Sequence, residues 1–166
     1  MHDELTEIDI RKMKEEIEER IALRASLKEQ VKAARELGDL SENDEYRSAK
    51  REMNRNNSRI RYLENMIRTA VIITTDSDAD KAGLFDRLTI YYPEDDETRV
   101  IRIVTTLRND IFNDCISKES PVGKALLGKK AGQTVTVRVN DAYSYPIKLI
   151  SIEKGTDDDS LPIMEY

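Results

Sequence analysis

Acidic side chains cluster in one short stretch of the sequence, Glu36 to Tyr46, which reads ELGDLSENDEY. Five of its eleven residues are acidic and none is basic. Asp39 and Glu42 are three positions apart, so their carboxylates can point together toward a ligand in front of the segment. Mg²⁺ is usually held in this way, by one or two carboxylates with water and outside ligands completing the shell. The pair therefore predicts an open, metal-directed site.

Helix capping is the alternative explanation of these acids. Negative side chains in the first turn of a helix gain a few tenths to about 1 kcal/mol each from the helix dipole. Three residues fall in the first turn of a predicted second helix: Glu42, Asp44 and Glu45. Ser41 is a candidate capping residue, and Gly38 suits the left-handed position after the first helix. Asp39 precedes this cap, so capping does not explain it.

The acidic segment lies between two stretches with helical periodicity. From Asp9 to Leu37 there is no Gly or Pro, and apolar residues recur near heptad spacing. They are Ile10, Met13, Ile17, Ile21, Leu27, Val31 and Ala34. The register slips in the middle, where a strict heptad would turn Arg20 and Arg24 inward.

The second stripe is more regular, with steps alternating between three and four residues. It consists of Tyr46, Ala49, Met53, Asn56, Ile60, Leu63, Ile67 and Ala70. A buried Asn56 would fix the register of such a seam, although the side chain could instead face water. The two stripes predict an antiparallel coiled-coil hairpin over residues 1–75, with its tip at 38–45. Each helix would reach roughly 45 Å.

Basic residues follow directly behind the acidic tip. From Arg47 to Arg61 there are six basic residues and one acidic residue, Glu52. Such a stripe would guide the hairpin along a nucleic acid, DNA included, or into a channel lined with it, although a solvated helix face is the ordinary alternative. The residues expected to make these contacts are Arg47, Lys50, Arg51 and Arg55. The net charge of -6 argues against a general nucleic-acid binder.

The rest of the chain reads as a small β-rich domain. Five segments rich in β-branched or aromatic residues predict strands at 71–74, 88–92, 99–105, 134–139 and 145–153. A short helix is expected after Ser120, with Pro121 in its first turn and Gly128 near its end. The predicted fold class is α+β, with a mostly antiparallel sheet and one helix over 76–155 and a disordered or weakly packed tail over 156–166.

Two segments carry a family resemblance. ARELGDLSENDEYRSAK, residues 34–50, resembles the tip motif of the bacterial GreA/GreB transcript-cleavage factors, which are transcription elongation factors. SPVGKALLGKKAGQTVTV, residues 120–137, resembles a segment of their C-terminal domain. Their order and separation also match, so the chain from about Thr6 to Lys154 is identified as a member of this family. The resemblance implies an FKBP-like C-terminal domain that docks on the rim of the RNA polymerase secondary channel.

The resemblance also implies a function. Gre-like proteins insert a helical hairpin into that channel when bacterial RNA polymerase has backtracked. The tip acids help to hold the second Mg²⁺ and its attacking water, and the polymerase then hydrolyses the extruded nascent RNA by two-metal chemistry. The chain would be an accessory factor, not an enzyme, and would bind no Mg²⁺ stably alone. Its partners would be RNA polymerase and backtracked RNA, with no membrane and no small-molecule substrate. The sequence itself predicts a cytoplasmic location, because no apolar run approaches eighteen residues and Cys115 is the single cysteine.

Individual residues are carried over from the family motifs. Asp39 and Glu42 match the essential acidic pair, which positions metal and water. The neighbouring motif residues are candidates for orienting the tip: Asn43, Glu45 and Tyr46. Tyr46 is equally the first residue of the helical seam. Ser120 and Pro121 match the docking segment of the second domain, although a plain helix start explains them as well.

Two other functions remain open from the sequence. The chain could be a Gre-like secondary-channel regulator or inhibitor without cleavage activity, since the tip motif does not separate the two. It also lacks the Arg-Pro break that many Gre factors carry in the first helix, where it reads ALRASLKEQ. An ordinary coiled-coil adaptor, whose acids only cap a helix, is the third hypothesis.

Overall fold

The computed structural model describes residues 2–38 and 43–165. Two compact units are present: residues 2–9 together with 71–165, and residues 10–70 apart from the undescribed segment. The first unit is discontinuous in sequence. The predicted domain ranges, 1–75 and 76–155, are each continuous and did not place residues 2–9 with the sheet. Within the described ranges, no helix combines the length and apolar character needed to cross a lipid bilayer.

The helical unit is built from α1 (Glu7–Arg35) and α2 (Asp44–Thr69). With 29 and 26 residues, these helices are about 43 and 39 Å long. Their contacts run in opposite directions along the chain, joining Glu16 to Arg59 near one end and Ala34 to Asn43 at the other. The predicted antiparallel hairpin, and with it the α+β class, is confirmed.

The apolar seam of α2 follows the prediction throughout. All eight residues assigned to it are buried or half-buried. The stripe on α1 is wrong in its middle, where Ile21 is 44% exposed. An α-helix has 3.6 residues per turn, so a 3.5-residue pattern drifts off the contact line unless the helices supercoil. Here Arg20 takes the inward direction that Ile21 was expected to have.

A polar layer fills this part of the helix pair. Asn56 is 4% exposed, and its Nδ2 donates to the backbone oxygen of Arg20 at 2.9 Å. Its Oδ1 accepts from Arg20 Nη1 at 3.2 Å. Arg24 is exposed, and its Nε donates to Asn57 Oδ1 at 3.3 Å. Asn56 therefore faces the partner helix, and Arg20 satisfies its amide on both sides.

The sheet unit contains a five-stranded sheet. Its strands are β3 (Arg87–Tyr92), β4 (Glu97–Val104), β5 (Cys115–Ser117), β6 (Thr134–Arg138) and β7 (Ser144–Glu153). Their order across the sheet is β5-β4-β3-β7-β6. Strands β4 and β5 are parallel, and the other neighbours in this sheet are antiparallel. The helix α3 (Pro121–Leu126) contributes Leu126 to the core that covers one sheet face. The FKBP-like description of this unit stays a prediction of the resemblance.

Two very short strands form a separate pair. β1 (Glu4–Leu5) lies parallel to β2 (Val71–Ile72), with Glu4 opposite Val71. Two 3-10 turns, Thr106–Arg108 and Ile111–Asn113, follow β4. The β1–β2 pairing joins the N-terminal segment to residues that follow the hairpin in the sequence.

The C-terminal tail is anchored, contrary to the prediction of a weakly packed segment. Asp157 accepts from the buried Arg108 at 3.0 Å and from Thr6 Oγ1 at 2.6 Å. Asp9 also pairs with Arg108, at 2.7 Å. A buried guanidinium is costly unless carboxylates neutralise it. The tail is therefore held because it supplies one of these two carboxylates.

Candidate functional site

The hairpin tip lies between the end of α1 and the start of α2. The predicted metal-directed pair, Asp39 and Glu42, lies outside the described residues, as does Ser41. Gly38, on the α1 side, has a φ of 134°, a conformation that glycine adopts without strain. The positive φ expected at Gly38 is confirmed, but Gly38 lies three residues after the end of α1 and not directly after it. The residues that flank the acidic pair are therefore described on both sides.

Asn43 is the N-cap of α2. Its Oδ1 accepts from the backbone N–H of Tyr46 at 3.0 Å. Its Nδ2 donates to the backbone oxygen of Ala34 at 2.6 Å. The prediction of Ser41 as the cap is wrong, because α2 begins directly after Asn43, and an asparagine caps as well as a serine. One side chain thus ties the first turn of α2 to the last turn of α1.

Tyr46 is half-buried between charged neighbours. Arg35 Nη2 donates to its hydroxyl at 3.4 Å, and the Arg35 guanidinium lies 5.6 Å from the ring centroid. The Lys50 ammonium lies 5.7 Å from the same centroid. The hydrogen bond from Arg35, with the nearby positive charge of Lys50, lowers the pKa of the Tyr46 hydroxyl below its usual value. Tyr46 therefore packs on the seam and also joins α1 to α2.

The described acids of the tip segment face outward. Glu36, Asp44 and Glu45 are all exposed. Asp44 lies 3.9 Å from Arg47, one turn along α2. Asp44 and Glu45 occupy the first turn of the helix, where the dipole favours them. The capping explanation holds for the position of these two acids, while the orienting role expected for Glu45 stays a prediction.

The four basic residues expected to contact nucleic acid share one face of α2. With Tyr46 they border the same open surface depression, and all four are exposed: Arg47, Lys50, Arg51 and Arg55. Arg59, which the sequence places in the same basic stripe, is 3% exposed. Its Nε donates to Glu16 Oε2 at 2.7 Å, so it belongs to the interior of the helix pair. The exposed basic face of α2 therefore does not include Arg59, which the sequence pattern placed in it.

Glu16 carries the negative charge of this interior pair. Burial opposes its ionisation, but hydrogen bonds from Arg59 and Arg20 outweigh burial and lower the pKa of Glu16 below its usual value. Arg20 Nε donates to the same carboxylate at 2.8 Å. One carboxylate thus pairs with two guanidinium groups, one from each helix. This cluster was not predicted, because no pattern on α2 alone shows which arginine has a partner on α1.

The proposed docking residues lie at the start of α3. Ser120 is the N-cap, and its Oγ accepts from the backbone N–H of Gly123 at 3.0 Å. Pro121 is the first helical residue and is exposed. The predicted helix start is confirmed, and the docking role stays a prediction.

The described ranges hold neither a metal-ligating cluster nor an activated thiol. Among residues 2–38 and 43–165, no three His, Cys, Asp or Glu side chains form a group that could hold a metal. Cys115 is buried, and burial raises the pKa of its thiol. A buried thiol of raised pKa is a poor nucleophile.

Comparison with known proteins gives a consistent result over most of the chain. Residues 4–72 match the model of the N-terminal domain of the transcription elongation factor family GreA/GreB, and residues 77–154 match the model of its C-terminal domain. Transcription elongation factor GreA of Streptococcus pneumoniae serotype 19F is 39% identical over 145 residues, 86% of this chain and 90% of the relative. GreA of Streptococcus suis is 38% identical over the same shares.

A solved structure of the transcription factor Gfh1 is also similar. It is 21% identical with a TM-score of 0.45, and the match covers 92% of this chain and 97% of the other. These values are too low to support an inference of their own.

Proposed function

The chain belongs to the GreA/GreB family of transcription elongation factors, and we propose that it stimulates Mg²⁺-dependent cleavage of backtracked RNA by bacterial RNA polymerase. In this proposal the helical hairpin enters the secondary channel of the polymerase. The catalytic site belongs to the polymerase, and this chain acts as an accessory factor.

The observation that carries the proposal is the chain position of Asp39 and Glu42. They are in the segment that joins α1 to α2. Asp39 comes directly after Gly38, and Glu42 comes directly before Asn43. That segment connects two long antiparallel helices, so it is far along the chain from the sheet unit. Hard carboxylate oxygens are the ligands that Mg²⁺ prefers. The donor chemistry of the pair therefore fits the ion.

The hairpin supports this pair through contacts between its helices. Asn43 bonds to Ala34, and Tyr46 accepts from Arg35, so α1 and α2 are joined on both sides of the acidic segment. Contacts that order the flanking residues before binding lower the conformational entropy that is lost when a ligand is engaged. Bound Mg²⁺ supplies activation of the attacking water and stabilisation of the leaving oxygen. The task of this chain is to deliver two carboxylates.

The exposed basic face of α2 gives the hairpin its affinity. Arg47, Lys50, Arg51 and Arg55 carry four positive charges directly after the acidic tip. Such charges attract phosphate groups or an acidic channel wall and speed association at low salt. The acids at the tip would be repelled by the same phosphates, so they favour a position beside a cation. This polarity along α2 orients the hairpin as it enters.

Cleavage by purified polymerase tests the proposal. Stalled, backtracked elongation complexes are incubated with Mg²⁺ and with the wild-type chain, Asp39→Asn or Glu42→Gln. We expect short RNA fragments with the wild type, and a cleavage rate at least roughly tenfold lower with each variant, since each loses one charged ligand. Glu36→Gln is the control, because it removes one exposed charge from the same segment without touching the pair.

Two results would contradict the proposal. If the wild-type chain binds polymerase and releases no short RNA, it is a secondary-channel regulator that does not cleave. If Asp39→Asn and Glu42→Gln stimulate cleavage as well as the wild type, the acids have no part in metal positioning.

A further inference from the structure

The core-facing side of the sheet continues beyond the helix that covers it. Alternate residues of β3, β4 and β7 point into the core, among them Ile90, Ile101 and Ile147, which are at most 2% exposed. With six residues, α3 is only about 9 Å long. Side chains alternate between the two faces of a strand, so Tyr92 and Tyr145 extend this same face toward the strand ends. Both rings are only half-buried.

Three tyrosine rings form the wall of a cleft at this end of the sheet. The ring centroids of Tyr92 and Tyr145 are 6.4 Å apart, and those of Tyr143 and Tyr145 are 5.7 Å apart. The cleft, called the tyrosine cleft below, has a volume of about 360 Å³. This is within the usual range for sites that bind small ligands. Tyr143 is 53% exposed, so one ring is open to solvent.

Carboxylates surround these rings. The acidic residues that line the tyrosine cleft are Glu94, Asp95 and Glu97. Arg99 lines it as well, and its guanidinium lies 6.0 Å from the Tyr92 centroid and 3.0 Å from the Glu97 carboxylate. The chain's own guanidinium thus contacts one ring and one carboxylate of the cleft. Two further rings and two further carboxylates line the same space.

We propose that the tyrosine cleft binds an arginine or lysine side chain carried by a basic segment of a partner protein. The electron-rich ring faces attract a cation, by about 0.5–1 kcal/mol at an exposed site and more when water is excluded. The carboxylates add charge-assisted hydrogen bonds and repel anions. Tyrosine is uncharged at neutral pH, and burial moves the pKa of Tyr92 and of Tyr145 further above its usual value.

This site is separate from the residues used in the proposed function. It shares no residue with the hairpin or with Ser120 and Pro121. It adds a second contact, through which the sheet unit recognises a positively charged protein segment. Its failure would leave the cleavage proposal unaffected.

Binding of a blocked tetra-arginine peptide to the full chain tests the inference. The dissociation constant is measured by calorimetry, and the backbone amide signals that shift are located by NMR. We expect shifts around Tyr92, Tyr143 and Tyr145, and no binding of a tetra-glutamate peptide. Tyr143→Ala should weaken peptide binding roughly fivefold, the equivalent of about 1 kcal/mol. Because Tyr143 is exposed, this variant keeps its fold.

A matched pair of charge variants separates the tyrosine cleft from general acidity. Glu94→Gln with Asp95→Asn removes two carboxylates from the cleft, and Glu18→Gln with Glu19→Gln removes two exposed carboxylates from α1. We expect the first double variant to bind the peptide several-fold more weakly than the second. Equal weakening by both, or unchanged binding by Tyr143→Ala, would overturn the inference.

Discussion

Arg59 shows, at the scale of a single residue, how a charge that looks like a surface feature in the sequence becomes interior. It is one of six basic residues between Arg47 and Arg61, yet it is buried against Glu16 of α1. A buried guanidinium that loses its carboxylate keeps its desolvation cost without compensation. Substitution of Glu16 is therefore expected to destabilise the pair.

Glu16→Gln should destabilise the helical unit. The substitution keeps the size of the side chain and removes the charge that pairs with Arg59 and Arg20. We expect a loss of about 1–3 kcal/mol at pH 7, measured by urea or thermal unfolding followed by circular dichroism. Glu18→Gln, at an exposed position on the same helix, should change stability by less than about 0.5 kcal/mol.

The same pair predicts a dependence on pH. The folded state lowers the pKa of Glu16, so its contribution is present above the unfolded value of about 4.3 and is lost as pH falls through the folded value. The stability difference between wild type and Glu16→Gln should therefore be largest above about pH 5 and shrink in more acidic solution. A difference that stays constant from pH 7 to pH 3 would contradict the assignment.

At the scale of elements, long segments with a sustained periodicity are predicted from the sequence, and very short strands are not. The seam of α2 was predicted in full because its three-and-four spacing is sustained over the whole helix. The strands β1 and β5, with two and three residues, were missed because so few residues carry no periodicity. Of the candidate site, the positive φ of Gly38 and the four exposed basic residues were predictable from local pattern, whereas the cap of α2 is Asn43 and not the predicted Ser41. The Ala34–Asn43 and Glu16–Arg59 contacts were not predictable, because they join residues that are distant in sequence.

Leu63→Ala tests the seam itself. Leu63 of α2 is fully buried, so truncation removes apolar contacts and leaves a cavity. We expect a loss of about 2–5 kcal/mol in the unfolding free energy of the helical unit. Leu23→Ala, at a half-exposed position of α1, is the matched control and should cost less than about 1 kcal/mol. Equal losses for both variants would show that the predicted seam does not carry the packing.

At the scale of the whole chain, three distant segments meet at Arg108. Asp9 comes from the start of α1, Asp157 from the C-terminal tail, and Arg108 from the turn after β4. The Arg108 guanidinium also lies 5.5 Å from the Phe85 ring centroid in the core. The tail position Asp157 is beyond residue 154, where the match to the family model ends. This chain therefore holds its sheet unit together partly with a segment outside that match.

Asp157→Asn should loosen this junction. The variant keeps a hydrogen-bonding side chain but leaves Arg108 with one carboxylate, so we expect the sheet unit to lose about 1–3 kcal/mol. Amide hydrogen exchange should increase first around Thr6 and Arg108. Asp158→Asn, at the exposed neighbouring position, serves as the control. Unchanged exchange in Asp157→Asn would mean that the Asp157 carboxylate does not stabilise this junction.

The sheet unit consists of residues 2–9 and 71–165, and the parallel pairing of β1 with β2 connects these two parts. The hairpin is therefore an insertion in the sequence of the sheet unit. Inserted segments can grow or shrink at small entropic expense, since doubling a loop adds only about 0.6 kcal/mol to its closure. The length of the hairpin can thus change by whole helical turns. The number of helical turns in the hairpin can therefore differ while the pairing of β1 with β2 is kept.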